Sequence, residues 1–124
     1  MYLAEAQVPD TIAQDLILPS LIDNHLDLDK IFFWEGYNTS SLPHTDDVEN
    51  IMCVFTGQKT WKVVSPFNRL LVYSGKKTPV NYTPVDFYDP NYEEYPLFDQ
   101  CKVYTIELKA GDCFYNPLLW WHHV

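Results

Sequence analysis

The fold of this chain is decided by one stretch, Val103-Tyr-Thr-Ile-Glu-Leu-Lys-Ala-Gly-Asp-Cys-Phe-Tyr-Asn-Pro-Leu-Leu-Trp-Trp-His-His123. Residues 103–108 include the β-branched and aromatic side chains that are enriched in strands. Ala110-Gly-Asp112 is a tight-turn signal, and Cys113-Phe-Tyr115 predicts a second strand that ends near Pro117. Short strands separated by a tight turn indicate a β fold.

The rest of the chain has the same character. It holds nine prolines, only four glycines and 16% aromatic residues, a composition typical of short strands joined by irregular loops. We expect a strand over residues 31–34. We also expect a hairpin in which residues 48–56 and 59–66 flank the turn Gly57-Gln58.

Two further segments stand apart from this strand pattern. Residues 10–18 favour a short, peripheral helix with Asp10 as its cap and Pro19 beyond its end. Residues 81–100 contain three prolines and five carboxylates, and predict a long surface excursion of the kind that often forms a lid or a binding loop.

Composition narrows the classes of function. With 124 residues the chain has room for one domain, and its 8 Lys+Arg against 17 Asp+Glu give a net charge of −9, which disfavours nucleic acid as a partner. We find no signal peptide and no apolar run long enough to span a membrane. The three cysteines show no metal-ligand spacing, so we expect free thiols in a cytoplasmic protein, or a nuclear one in a eukaryote.

The predicted strand after Gly57 carries a lysine, Lys59, on the same face as apolar residues. Side chains alternate along a strand, so Lys59, Trp61 and Val63 share one face. If that face is the interior, Lys59 is a cation in an aromatic-lined cavity and needs an anion, because an unpaired buried ammonium is strongly destabilising.

A candidate metal site comes from His44-Thr-Asp46, whose i, i+2 spacing places an imidazole and a carboxylate on one side of an extended chain. This pair alone is a weak signal. His122 follows in an apolar aromatic run, and two histidines with one carboxylate form the facial triad that suits non-haem Fe(II). A 2-oxo acid can supply electrons to such a centre, and Lys59 would hold its distal carboxylate.

Taken together, these motifs resemble a known family. His44-Thr-Asp46, Asn50, Gly57-Gln-Lys59 and the run from Gly111 to His122 are similar to the JmjC (cupin-8-like) Fe(II)- and 2-oxoglutarate-dependent oxygenases. Within that family the likeness is greatest to the factor-inhibiting-HIF type of asparaginyl hydroxylase. The loop over 85–98 and the ending Trp120-Trp-His-His-Val124 are similar to those of that group.

The resemblance implies a role for each matching residue. His44, Asp46 and His122 would be the iron ligands, with His122 preferred over His123 because the family's ligand directly follows the Trp pair. Lys59 would pair with the distal carboxylate of 2-oxoglutarate. The remaining predicted co-substrate contacts are Ser41 and Tyr2 at the same carboxylate and Asn50 near the chelating end.

The resemblance also implies a double-stranded β-helix, the jelly-roll barrel of the cupins, with the iron near one open end. We expect residues 1–124 to be the catalytic stretch of a longer domain, lacking its last strand and able to form a homodimer through the exposed edge. The expected reaction is hydroxylation of a protein or peptide side chain. The alternatives are a JmjC demethylase, a tRNA-base hydroxylase and a metal-binding cupin without catalytic activity.

Overall fold

The computed structural model describes residues 2–20, 22 and 26–124; the side chain of Tyr2 is outside that description. The chain divides between Thr39 and Ser40 into two compact units. Within the described ranges no helix is long and apolar enough to cross a membrane.

The first unit contains an antiparallel pair of strands, β1 (Tyr2–Gln7) and β2 (Phe32–Gly36), and a short helix, α1 (Asp10–Ala13). The strand expected over 31–34 is confirmed as β2. The predicted helix is shorter than residues 10–18, and its cap is Pro9 rather than Asp10. None of its residues is buried, so no apolar contact offsets the unfavourable nucleation of a longer helix.

The second unit is built from five strands: β3 (Asn50–Cys53), β4 (Gln58–Val64), β5 (Tyr104–Lys109), β6 (Cys113–Asn116) and β7 (Trp121–His123). Strand β3 pairs with β6, and β4 lies between β5 and β7, with every pairing antiparallel. Helix in this unit is limited to two 3-10 turns, Pro66–Asn68 and Pro96–Gln100. The prediction of an all-β fold is confirmed.

The predicted hairpin across Gly57 is wrong, because β3 and β4 belong to different sheets. The connection between them pairs instead with the β5–β6 turn. Val54 N–H donates to Asp112 O at 2.9 Å, and Gly111 N–H donates to Val54 O at 2.8 Å. Gly57 and Gly111 adopt φ of +76° and +96°, which side chains disfavour, and so allow both turns. Consecutive strands that lie in different sheets are typical of a jelly roll.

Strand β4 separates two hydrophobic cores. Trp61 and Val63 point into one, where they meet Val54 and Leu108. Val64 points to the opposite side and joins a second core whose other buried members are Val72, Val85, Phe87, Tyr95, Phe98 and Trp121. The face that carries Lys59 is therefore an interior face of the second unit.

The segment 81–100 runs largely over the surface, as expected, but several of its side chains are buried. Phe87 and Phe98 stack at 5.2 Å between ring centroids, and both are almost fully buried against β4 and β7 residues. The segment covers the outer side of the three-stranded sheet and supplies much of that core. Its acidic residues, such as Asp89 and Glu93, remain exposed.

The expectation of three free thiols is wrong for two of them. Cys53 and Cys113 occupy facing positions at the end of the β3–β6 ladder and form a disulfide. Cys101 is free, and burial raises the pKa of its thiol to about 11. The sequence concealed the pair because the two residues are 60 positions apart and only strand pairing brings them together.

Candidate metal centre

Two segments that are distant in sequence meet at His44 and His122. The backbone N–H of His44 donates to His122 O at 3.0 Å, and His122 N–H donates to His44 O at 2.9 Å. This single antiparallel bridge brings the imidazole rings to 4.3 Å between centroids. Since His122 belongs to β7, the three-stranded sheet fixes one side of the site.

Asp46 lies between the two histidines. Its Oδ1 is 3.5 Å from His44 Nε2, and its Oδ2 is 3.5 Å from His122 Nε2. One ligand atom from each residue lies within 4.8 Å of the others. Metal–ligand bonds are about 2.0–2.2 Å long, so ligands of one ion lie about 3–4 Å apart. The structure therefore brings the predicted triad together with spacings that suit a shared metal ion.

The backbone orients both imidazoles in the same way. His44 Nδ1 is 2.6 Å from Leu42 O, and His122 Nδ1 is 3.0 Å from Trp120 O, the carbonyl two residues earlier in each case. A carbonyl only accepts, so each Nδ1 carries a proton, and Nε2, the atom that faces Asp46, is the nitrogen available to a metal. Two imidazole nitrogens and a carboxylate are the donor set of a non-haem Fe(II) centre, so the residues fit that metal.

The two histidines of the cluster differ in how far they are buried. His122 is 3% exposed, and the Trp61 ring stacks on it at 5.2 Å. Burial lowers the pKa of His122, and the nearby His44 lowers it further, against the raising effects of the Trp120 carbonyl and Asp46. His122 is therefore neutral at pH 7, the form that binds metal. His44 is half-buried and stacks on Tyr82 at 5.5 Å.

Lys59 lies where the alternation predicted. It is half-buried on the same face of β4 as Trp61, and it lines a cavity of about 100 Å³ with Gln58, Thr60 and residues 107–109 of β5. Removal from water lowers the pKa of its ammonium group. None of the three cluster residues lines this cavity.

The other predicted co-substrate residues differ in what they contact. Asn50 Nδ2 donates to Asp46 Oδ2 at 2.6 Å, so it supports a candidate ligand directly. Ser41 Oγ accepts from the Val124 N–H at 3.1 Å, which leaves its own proton available. Tyr2 lies in β1 of the first unit, and its side chain lies outside the described residues, so its predicted role stays a prediction.

His123 points away from the triad. Its Nε2 is 3.0 Å from Ser40 Oγ, and its Nδ1 accepts from Phe87 N–H at 3.3 Å. The choice of His122 as the third member of the cluster agrees with this placement.

Sequence reasoning missed Tyr82 and the orienting carbonyls of Leu42 and Trp120. Tyr82 forms an isolated bridge with His44 from 38 positions away in sequence, and nothing in its surroundings marks that contact. Backbone carbonyls have no signature in a sequence at all.

A family model described as a cupin-like domain matches residues 5–124. The chain belongs to the cupin-like domain family. This membership agrees with the antiparallel sheets of the structure and with the jelly-roll prediction, because cupins are jelly rolls.

Several curated proteins are similar to this cupin-like chain. tRNA wybutosine-synthesizing protein 5 of Gallus gallus is 30% identical over 114 residues, 91% of this chain and 35% of that protein. JmjC domain-containing protein D of Dictyostelium discoideum is 29% identical over 141 residues, which cover 99% of this chain and 32% of that protein. The human bifunctional peptidase and (3S)-lysyl hydroxylase JMJD7 is 29% identical over 119 residues, which cover 77% of this chain and 37% of that protein.

Two of these relatives have JmjC or JMJD in their names, so the cupin-like chain is similar to JmjC proteins, which is the coarser part of the predicted resemblance. The chain spans about a third of the length of each of the three.

Proposed function

We propose that this chain is the catalytic stretch of an Fe(II)- and 2-oxoglutarate-dependent oxygenase that hydroxylates a protein side chain. The observation that carries the proposal is the cluster of His44, Asp46 and His122, in which both Nε2 atoms face one carboxylate. In this proposal residues 1–124 are part of a longer barrel. Its homodimer and its cytoplasmic or nuclear location stay predictions.

His44, Asp46 and His122 would hold the iron. Bound there with 2-oxoglutarate, iron would supply oxygen activation coupled to oxidative decarboxylation of the 2-oxo acid to succinate and carbon dioxide. The chain contributes orientation: the Leu42 and Trp120 carbonyls fix the imidazole rings. Trp61, stacked on His122, excludes water from that side of the site.

Lys59 would pair with the distal carboxylate of 2-oxoglutarate. Support comes from the half-buried position of Lys59 on the interior face of β4. It lies two residues from Trp61, the residue that stacks on His122. The Ser41 hydroxyl and Tyr2 would hydrogen-bond the same carboxylate. Asn50 would act at the chelating end, where it already holds Asp46.

A protein side chain is the proposed substrate because the human relative is by name a lysyl hydroxylase and the net charge of −9 disfavours a polyanion. The predicted likeness to asparaginyl hydroxylases of the factor-inhibiting-HIF type remains part of this proposal. It would make an asparaginyl side chain the first substrate to assay.

The second candidate is hydroxylation of a tRNA base. It is favoured by the 30% identity to a protein named for tRNA wybutosine synthesis. The two candidates separate in one assay, in which the protein is offered peptides or unmodified tRNA and the product is identified by mass spectrometry.

The primary test incubates the protein with Fe(II), 2-oxoglutarate and ascorbate and measures succinate. We expect slow turnover without a substrate, and its loss in Asp46→Ala. The matched control is Asp47→Ala, because Asp47 is an exposed neighbour outside the cluster. Absence of succinate, together with absence of 2-oxoglutarate binding, would overturn the proposal in favour of a metal-binding cupin.

Lys59 separates an oxygenase from a metal-binding cupin. Lys59→Met should weaken 2-oxoglutarate binding at least tenfold in calorimetric titration and leave metal affinity within a factor of two or so, since one charge-assisted bond is removed. Lys62→Met, on the opposite face of β4, is the control. Equal loss of both ligands in Lys59→Met would show that Lys59 is structural.

A further inference from the structure

Asn116 is a buried polar residue that the proposed mechanism does not use. It closes β6, is 2% exposed and faces Asn50 across the β3–β6 ladder. Asn50 holds Asp46. Two asparagines on neighbouring strands thus lie beside two members of the metal cluster.

The Asn116 carboxamide contacts His122. Its Nδ2 is 3.3 Å from His122 Nδ1, while its Oδ1 is buried and has no hydrogen-bond partner among the described residues. Because Nδ1 donates to the Trp120 carbonyl, a donor faces a donor in this arrangement. A half-turn of the carboxamide corrects the mismatch by placing Oδ1 opposite the Nδ1 proton.

We propose that Asn116 is a positioning residue for His122. Its Oδ1 accepts the Nδ1 proton together with Trp120 O, and so fixes the plane of the ring from which Nε2 faces the metal. The inference concerns the same site as the proposed function and rests on it only for the identity of the metal.

A purely structural role does not explain an asparagine here. Phe114, the next residue of β6 on the same face, packs into the hydrophobic core, and an apolar side chain at 116 would extend that packing. Asn116 therefore lowers stability in the metal-free protein while it orients a ligand, the trade-off found at functional sites.

The test compares Asn116→Leu, which keeps the branched shape of the side chain and removes the acceptor, with Asn116→Asp, which retains an acceptor oxygen. Each full chain is titrated with Co(II), the visible spectrum of the Co(II) protein is recorded, and thermal unfolding is followed without metal. Tyr115→Phe on the opposite face of β6 is the control. Asp46→Ala establishes that binding occurs at the cluster.

We expect Asn116→Leu to bind Co(II) 10–100-fold more weakly with an altered spectrum, as is typical when the partner of a ligating histidine is lost. Its unfolding temperature should be unchanged or higher. Asn116→Asp should restore the affinity. Wild-type affinity and spectrum in Asn116→Leu would overturn the inference, and so would parallel loss of stability and affinity that Asn116→Asp does not rescue.

The outcomes also separate this inference from the proposed function. Co(II) binding that depends on Asp46 and Asn116, without succinate formation, would uphold the positioning role and overturn the oxygenase. A wild-type chain that binds no Co(II) would overturn both.

Discussion

The β5–β4–β7 sheet and the β3–β6 ladder are held together by different means. Trp61, Val63 and Val64 of β4 are at most 4% exposed, and β4 has a partner strand on each side. All four residues of β3 are half-buried, and within the described chain β3 has β6 alone as a partner strand. A disulfide closes that ladder. Burial stabilises the first region, whereas a covalent link supplements the second.

The difference bears on the candidate site because its parts are divided between the two regions. His122 lies on β7, whose three residues are buried, while Asn50, which holds Asp46, lies on the ladder. The two regions meet where Trp61 contacts Phe114 edge to face at 5.3 Å. The following predictions test how far each region depends on its own source of stability.

The largest effect is expected from Trp61→Ala in the sheet. Removing a fully buried Trp side chain leaves a cavity and should lower the free energy of unfolding by about 3–5 kcal/mol, measured by urea unfolding. Met52→Ala on β3 is the comparison and should lower it by less than about 2 kcal/mol, since Met52 is half-buried. Equal losses would show that burial does not distinguish the regions.

Removal of the disulfide is the corresponding test of the ladder. Cys53→Ser with Cys113→Ser opens a link between positions 60 residues apart and should lower the free energy of unfolding by roughly 2–4 kcal/mol, because the unfolded chain gains conformational freedom. Cys101→Ser is the control. A wild-type protein with three titratable thiols after non-reducing denaturation would contradict the prediction.

A change of pH should have a smaller effect on stability. It tests the three-stranded sheet, because the two histidines concerned lie on β7. Burial is the main cause of the lowered pKa values of His122 and His123. On acidification the unfolded chain therefore binds protons at a higher pH than the folded chain does. The free energy of unfolding of the metal-free protein is highest above about pH 6.5 and falls as the pH drops toward the folded-state pKa values of the two histidines. The slope is at most about 1.4 kcal/mol per pH unit for each histidine.

This pH dependence is measured by urea unfolding between pH 5 and 8, in roughly half-unit steps, with a chelator present. His122→Gln should reduce the slope, and Asp47→Asn on the surface should leave it unchanged. A stability that rises on acidification through this range would contradict the assignment.

The smallest effect is the coupling between the regions. A double-mutant cycle with Trp61→Leu and Phe114→Leu should give about 0.5–1.5 kcal/mol, the range for edge-to-face aromatic pairs. Phe87→Leu, in the other core, provides a cycle with Trp61→Leu for which we expect coupling near zero. Similar values from both cycles would mean that the contact does not join the regions specifically.

The strands of the second unit were predictable in part because they are local patterns. The strands near 104–109 and 113–116 followed from residue type and from the turn at Gly111. The pairing of β3 with β6 was not predictable, since turn chemistry at Gly57 fits a hairpin equally well. The error arose because pairing depends on contacts between distant residues, which no local pattern encodes.

The sequence by itself determined that Lys59 shares a face of β4 with Trp61 and Val63, because side chains alternate along a strand. It also predicted His44, Asp46 and His122 as candidate metal ligands, from residue type and from the resemblance to the JmjC oxygenases. Only the tertiary structure decided the disulfide, the contacts of Asn50 and Asn116, and the carbonyls that turn each Nε2 toward Asp46. These depend on the register between strands, and register is fixed by packing of the whole chain.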